Sequence, residues 1–405
     1  MLFSAQTVSM VAGFFASIIQ GRWMEPREMG RFAFCLSIIV VTSLVFEFGI
    51  SSAGARVLAI ARNRESERQA LGALILMTIA ISVVFSLAIA AAAEPIDLIF
   101  DKDVRWLFIA TAALAFFQPF QLLVEQSCQG LNQIRRLSVF QLTMAGCYLV
   151  GLIVLVVSRR LTAGTALGAY LMGIGVAAAW TLIRMQPSFK SATGFIRLTL
   201  KETRGYGFNL YLARISGLAS SRSDQLAIGY FIPGTSALGM YAIAQKFSNP
   251  IAIMGRSLAT TRFRAFARLT RVPARIIRWN SAAVLAASIG LVVLGPFVLR
   301  FVFPKYSDAV PLLVPFAVMN LFVGLFQPYN IFLASHGRGA ELRNIVFIAG
   351  LATIAALVIA VPRFGIAGAA WTGAGAMALD YILHLLYYRR FRRTLEEARV
   401  AVEAL

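Results

Sequence analysis

Acidic side chains are scarce in this chain, with 18 Asp and Glu against 38 Lys and Arg in 405 residues. Histidine and cysteine are scarcer still, at two and three. Cys35, Cys128 and Cys147 all fall within or at the ends of apolar segments, so neither a disulfide framework nor a metal site is indicated. The chain also lacks a P-loop, a nucleophile elbow and any metal-spaced His/Cys set, so no cofactor is expected. Short alternating segments of the kind that build a transmembrane β-barrel do not appear. The amino terminus, MLFSAQTVSMVAGFFASIIQ, has no basic region before its apolar run and does not read as a typical signal peptide. It reads as a first spanning helix that is short and polar at its start.

Apolar sequence is what the chain has in quantity. Hydrophobic residues make up 59% of it, and its mean hydropathy is +0.75. Apolar runs recur from end to end, each close to the ~20 residues that cross a bilayer as a helix. The class is therefore all-α, a polytopic membrane protein. Apolar runs read against charged or Pro/Gly-rich breaks predict twelve spans, at 3–20, 31–58, 70–93, 105–128, 137–157, 164–184, 206–231, 237–258, 276–302, 309–334, 343–361 and 365–388.

The net charge of +20 resembles a nucleic-acid signal, but its distribution argues for topology. Connections after even-numbered spans and the tail hold 24 Lys and Arg, and those after odd-numbered spans hold 10. Both termini are therefore expected in the cytoplasm, with no nucleic-acid partner. The connector at 185–205 divides the chain into six-span lobes, 1–184 and 206–388, followed by a cytoplasmic tail at 389–405. Phe189, Ile196 and Leu200 fall near helical spacing among Lys190, Arg197 and Lys201. This suggests an amphipathic helix on the membrane surface or an extension of a span.

The two halves echo each other. GRWMEPREMGRFA, from Gly21, and GYFIPGTSALGMYA, from Gly229, each close one span and open the next. Each has a Pro at the turn and a Gly two residues before an aromatic-Ala pair. Both follow odd-numbered spans, which predicts a parallel repeat.

MEPREMGRFAFCLSIIVVTSLVFEFGISSAGARVLA resembles the opening of the bacterial polysaccharide-repeat flippases. FPKYSDAVPLLVPFAVMNLF at 303–322 resembles the tyrosine-containing segment of that family, and RFGIAGAAWTGAGAMALDYILHLLYYRRF at 363–391 its last span. These proteins belong to the multidrug/oligosaccharidyl-lipid/polysaccharide exporter superfamily. The resemblance implies two six-helix lobes around a central cavity in the bacterial inner membrane. It further implies alternating access that carries an undecaprenyl-diphosphate-linked oligosaccharide to the outer leaflet for surface polysaccharide synthesis. Membrane lipids, a polysaccharide polymerase and a chain-length regulator are the partners it suggests. The short first span departs from the family pattern.

A diphosphate headgroup needs cationic and hydrogen-bonding side chains along a wet cavity. The stretch ARISGLASSRSDQLAIGYF at 213–231 holds three charges inside a span. At about 100° per residue, Leu212, Ile215, Ala219 and Leu226 share one face and Arg214, Ser221, Asp224 and Gln225 the opposite one. Arg222 lies at the edge. Arg214 is read as a headgroup contact or an interhelical pair. Gln118, Gln121, Glu125 and Gln129 form a polar stripe at i, i+3, i+7 and i+11. Glu47 shares a face with Ser51 and Gly54, and Arg56 lies opposite. Lys246 is mid-membrane beside Gln245, with Asn249-Pro250 placed to kink or break that helix. Asn320, Gln327 and Asn330 recur in the tenth span. Asp380 and His384 are i,i+4 partners, either a local contact or a proton-handling pair.

The headgroup candidates are thus Arg214, Lys246, Arg222, Gln118, Gln121 and Gln245. Four acids inside the spans exceed what phosphate binding alone requires. Asp224, Glu47, Glu125, Asp380 and His384 are accordingly candidates for coupling to H⁺ or Na⁺. Two rival functions remain. A drug/cation antiporter would favour a more acidic cavity. A polytopic glycosyltransferase or polymerase would need a catalytic site, for which the acidic stretch EPIDLIFDKD at 94–103 is the nearest approach; it reads better as a solvated loop. The external connections are too short to house a catalytic domain, so the chain is not expected to be an enzyme.

Overall fold

The computed structural model describes residues 2–190, 192–260, 266 and 269–403, and among these no strand occurs. The first half holds helices α1 (Leu2–Trp23), α2 (Pro26–Val45), α3 (Ile50–Ala59), α4 (Arg64–Phe100), α5 (Arg105–Ala115), α6 (Gln118–Gly130), α7 (Ile134–Val157) and α8 (Ala163–Met185). A short helix, α9 (Ala192–Glu202), occupies most of the connector. Then follow α10 (Phe208–Phe231), α11 (Ser236–Thr260), α12 (Ala274–Val302), a 3-10 segment Pro304–Leu312, α13 (Leu313–Ser335) and α14 (Gly339–Glu403).

Local chemistry sets several boundaries. Asn63 accepts the Ser66 N–H at 2.8 Å to start α4. Thr162 and Thr165 form a reciprocal capping box at the start of α8. Within α14 the chain turns at Gly365, whose φ of 60° and ψ of −143° suit glycine alone. A Cβ on Gly368 would stand 2.3 Å from the Ala360 carbonyl oxygen. On a straight helix those residues would be about 12 Å apart along the axis. The chain therefore folds back, and α14 supplies two passes.

Eight helices among the described residues are long and apolar enough to cross a membrane, α14 included. With α1, and with α10 and α11, which carry more polar residues, the passes come to twelve. The fold is all-α and multi-pass. Apolar side chains such as Val150, Val154 and Val157 on α7 are exposed on it, as lipid-facing residues are.

The structure corrects the expected spans in two places. The span at 31–58 is broken at Phe46–Gly49, so Glu47 sits in a turn between α2 and α3. The span at 70–93 is a 37-residue helix that runs to Phe100. Pro250 does not break α11, which continues to Thr260; membrane helices tolerate proline because side chains re-satisfy the freed carbonyls.

Two compact units emerge. Unit 1 comprises Met1–Leu218 with Pro233–Gly239, and unit 2 comprises Ala219–Ile232 with Met240–Leu405. The division runs through α10 and α11. Unit 1 has a core of Val57, Leu71, Leu74, Leu123, Phe140 and Leu182, joining α3, α4, α6, α7 and α8. In unit 2, Phe266, Val272, Tyr329, Phe332 and Tyr388 cluster where the Tyr388 hydroxyl accepts the Val272 N–H.

Candidate functional site

In unit 1 the polar stripe on α6 forms a hydrogen-bonded ladder. Gln118 Nε2 donates to Gln121 Oε1 at 3.3 Å, and Gln121 Nε2 donates to Glu125 Oε1 at 3.2 Å. Gln118 is buried, and its Oε1 has no hydrogen-bond partner among the described residues. Gln129 stands apart, accepting from Gln126 at 3.4 Å. The Arg214 guanidinium on α10 acts electrostatically on the Glu125 carboxylate. Its Nη1 is buried without a hydrogen-bond partner among the described residues. A buried, unsatisfied donor is unusual in a folded protein and marks a place for an acceptor. The unit thus presents an open cationic donor and an open amide acceptor on elements that share the Glu125 charge.

In unit 2 the acid is enclosed in hydrogen bonds. Asp224 Oδ2 accepts from the Tyr241 hydroxyl at 2.7 Å and from Gln245 Nε2 at 3.2 Å. Its Oδ1 accepts the Gln225 N–H at 2.7 Å. Gln225 Nε2 donates to Gln245 Oε1 at 2.8 Å, and Arg222 Nη1 to Gln225 Oε1 at 3.4 Å. Arg222 acts electrostatically on Asp224, and also on Lys246 one residue beyond Gln245. Arg222, read from helical phase as an edge residue, therefore belongs to the Asp224 network. One turn on, Asn320 Nδ2 donates to Ser248 Oγ at 3.0 Å and ties α13 to α11.

The profile of the polysaccharide biosynthesis protein family matches residues 1–253. The chain belongs to that family. No curated protein matches it in sequence. Among solved structures it is similar to lipid II flippase MurJ in an inward closed conformation, with a TM-score of 0.76 and 13% identity over 96% of this chain and 87% of that one. It is also similar to an inward-facing multidrug resistance transporter of the MATE family, MOP superfamily, with a TM-score of 0.77 and 13% identity over 98% and 99%. A third, the MATE multidrug transporter DinF-BH, has a TM-score of 0.64 and 14% identity over 96% and 93%. At these identities the likeness is one of fold.

In this polysaccharide biosynthesis protein, Arg214 and Asp224 lie ten residues apart on α10 but in different units, each with its own partners. Ser221, expected on the same face, lies outside the described side chains. Glu47 is buried in the break before α3 and accepts the N–H groups of Gly49, at 2.9 Å, and Ser51. It closes the start of α3, and its relation to Ser51 is that of a cap rather than a shared helix face. Arg56 pairs with Glu202 of α9 at 3.5 Å.

Asp380 and His384 do meet, with Oδ1 3.6 Å from Nδ1. His384 Nδ1 is 2.8 Å from the Asp380 carbonyl oxygen, so it carries the proton, and its Nε2 faces Asn330 Nδ2 at 3.0 Å. The ring stacks on Phe326. Asp380 Oδ1 is buried with no hydrogen-bond partner among the described residues.

The acidic stretch 94–103, expected as a solvated loop, is largely the end of α4. Glu94 pairs with Arg105 at 3.5 Å, Asp97 accepts the Val104 N–H at 2.8 Å, and Asp103 pairs with Arg27 and Arg31. These carboxylates have turn-closing partners. Burial lowers the pKa of Lys102 in that turn, while Asp101 acts to raise it. Among the described residues no three His, Cys, Asp or Glu converge as a metal site requires.

Sequence reasoning did not find Tyr241 as the donor to Asp224, nor Ser248 as the partner of Asn320. Tyr241 carried a signal only as the aromatic of the second repeat motif.

Proposed function

We propose that the protein translocates an undecaprenyl-diphosphate-linked oligosaccharide from the cytoplasmic to the periplasmic leaflet of the bacterial inner membrane, by ion-coupled alternating access, for surface polysaccharide synthesis. Both termini are cytoplasmic in this reading. The observation that carries it is the buried Arg214 Nη1, which has no acceptor among the described residues and whose guanidinium acts electrostatically on Glu125, the end of the Gln118–Gln121–Glu125 ladder. A charge-assisted hydrogen bond to a phosphate oxygen would satisfy it. The amides of Gln118 and Gln121 suit sugar hydroxyls, which both donate and accept. Membership of the polysaccharide biosynthesis family supports the glycan as cargo.

Asp224 is the first candidate for the coupling ion, because its carboxylate is held by Tyr241 and Gln245 within the membrane. Lys246 and Arg222 supply further cationic contacts, and Asp380 with His384 a second place for a proton. A polysaccharide polymerase and a chain-length regulator would act downstream on the product.

The second reading is a drug/cation antiporter, favoured by the fold shared with multidrug transporters. Proteoliposomes separate the two. Added protein should make an inner-leaflet diphosphate-linked oligosaccharide accessible to an external lectin, without moving an organic cation against an ion gradient. Cation movement with the oligosaccharide left in place would reverse the assignment.

A further inference from the structure

On the side of unit 1 that the Lys/Arg count assigns to the cytoplasm, a cleft of about 170 Å³ is lined by Arg64, Arg68, Arg136 and Arg184, with Glu67 as its one acid. Positive-inside topology explains arginines at this level of the membrane. It does not require four of them, from three different helices, to converge on one recess.

Two of the four are held in place. Arg68 Nε donates to the Gln186 carbonyl oxygen at 2.6 Å, and Arg136 Nη1 donates to Gln133 Oε1 at 2.8 Å. Arg184 lies over the Trp180 ring at 4.7 Å. Arg68 Nη1 is also paired with Glu65 at 3.8 Å, so the oriented guanidinium donors the cleft presents come mainly from Arg136 and Arg184. The cleft also meets the start of α7. That 24-residue helix has Gln133 at its cap position, with no side-chain hydrogen bond to its first-turn N–H groups. A helix start of this kind favours an anion. The opposing influence, the carbonyl end of α8 at Gln186, is already taken by Arg68.

The remaining wall is apolar, from Leu71, Leu131 and Met185. Beside it, on α8, Trp180 and Ile183 are exposed, as is Phe189 just beyond. Tryptophan at a helix end beside arginine is typical of the headgroup region. The recess is cationic within and bordered by lipid-facing residues.

We infer that this cleft binds the phosphate of an anionic phospholipid headgroup in the cytoplasmic leaflet. The arginines and the α7 start hold the phosphate, and Leu131, backed by the buried Leu71 and Met185, meets the upper part of the lipid. The inference is independent of what the protein transports, since it concerns none of the residues assigned to the oligosaccharide or the ion.

The test is melting of the full-length protein in neutral detergent with added phosphatidylglycerol, phosphatidylcholine or inorganic phosphate. Phosphatidylglycerol should raise Tm and phosphatidylcholine should not. An Arg136→Gln/Arg184→Gln variant should need about tenfold more phosphatidylglycerol for the same shift, having lost two charge-assisted partners. An Arg389→Gln/Arg390→Gln variant, with the same charge loss in the same leaflet, should respond like the unmodified protein. If the first variant does not fold, Arg184→Gln alone leaves the Arg68 and Arg136 hydrogen bonds intact and should show a smaller loss in the same direction. A cleft variant that responds to phosphatidylglycerol as the unmodified protein does would overturn the proposal. A full shift with inorganic phosphate and none with phosphatidylglycerol would overturn the lipid as its source.

Discussion

Gly30 and Gly239 pack against each other's helix starts. A Cβ on Gly30 would stand 1.7 Å from the Thr235 carbonyl oxygen, and one on Gly239 would stand 2.0 Å from that of Pro26. Each meets the residue four positions before the other, and the Thr235 hydroxyl donates to the Arg27 carbonyl at 2.8 Å. The two glycines hold equivalent places in the echoing motifs of the two halves, so the repeat is also a contact. Backbone stands on both sides, and no side chain can yield.

Alanine at either position should therefore be costly. Gly30→Ala or Gly239→Ala is expected to destabilise by about 3 kcal/mol, the upper range for overpacking. Melting in detergent checks this, with Gly13→Ala as the control, since a Cβ there meets nothing within 4 Å. Equal Tm values for the three variants would show that the close approach is not maintained in the membrane.

The Tyr241–Asp224 bond predicts a coupled pair. Tyr241→Phe removes a 2.7 Å hydrogen bond from a carboxylate that, among the described residues, keeps hydrogen bonds from Gln245 and a backbone N–H. A hydrogen bond to a charged group is worth about 1.5–3 kcal/mol. Tyr241→Phe and Asp224→Asn should each destabilise, and the double variant by less than their sum. Asp224→Asn should also abolish gradient-driven transport while leaving gradient-independent exchange. Gradient-driven transport that survives this change would remove Asp224 from the coupling role.

Glu47 gives a contrasting expectation. Its carboxylate accepts two backbone N–H groups at the start of α3. Glu47→Ala should lower stability by about 1–2 kcal/mol, as losing a cap does. Glu47→Gln, which keeps one acceptor, should recover part of that loss with the ion dependence of transport unaltered. A Gln variant that melts normally but transports independently of the gradient would make Glu47 an ion site instead.

The apolar passes were readable because hydrocarbon imposes one simple rule on length and composition. The α6 ladder was readable too, since Gln118, Gln121 and Glu125 repeat at helical spacing within a single element. The break at Phe46–Gly49 was hidden, because Val45, Phe46, Phe48 and Ile50 keep the run apolar through the turn. Helical phase placed Arg214 and Asp224 on one face, but phase says nothing about which neighbouring helix each side chain meets. Glu125 is far from Arg214 in sequence, and Tyr241 lies beyond a turn from Asp224. Those partnerships depend on tertiary packing, and so do the sites built from them.

We propose that Arg214 holds the diphosphate of a lipid-linked oligosaccharide during its passage between leaflets. The most direct measurement is lectin accessibility of that oligosaccharide in proteoliposomes carrying the unmodified protein, Arg214→Lys or Arg214→Gln. The rate should fall about tenfold or more with glutamine, which keeps a donor but loses the charge, and lysine should retain part of it. A glutamine variant that exposes the oligosaccharide as fast as the unmodified protein would contradict this role for Arg214.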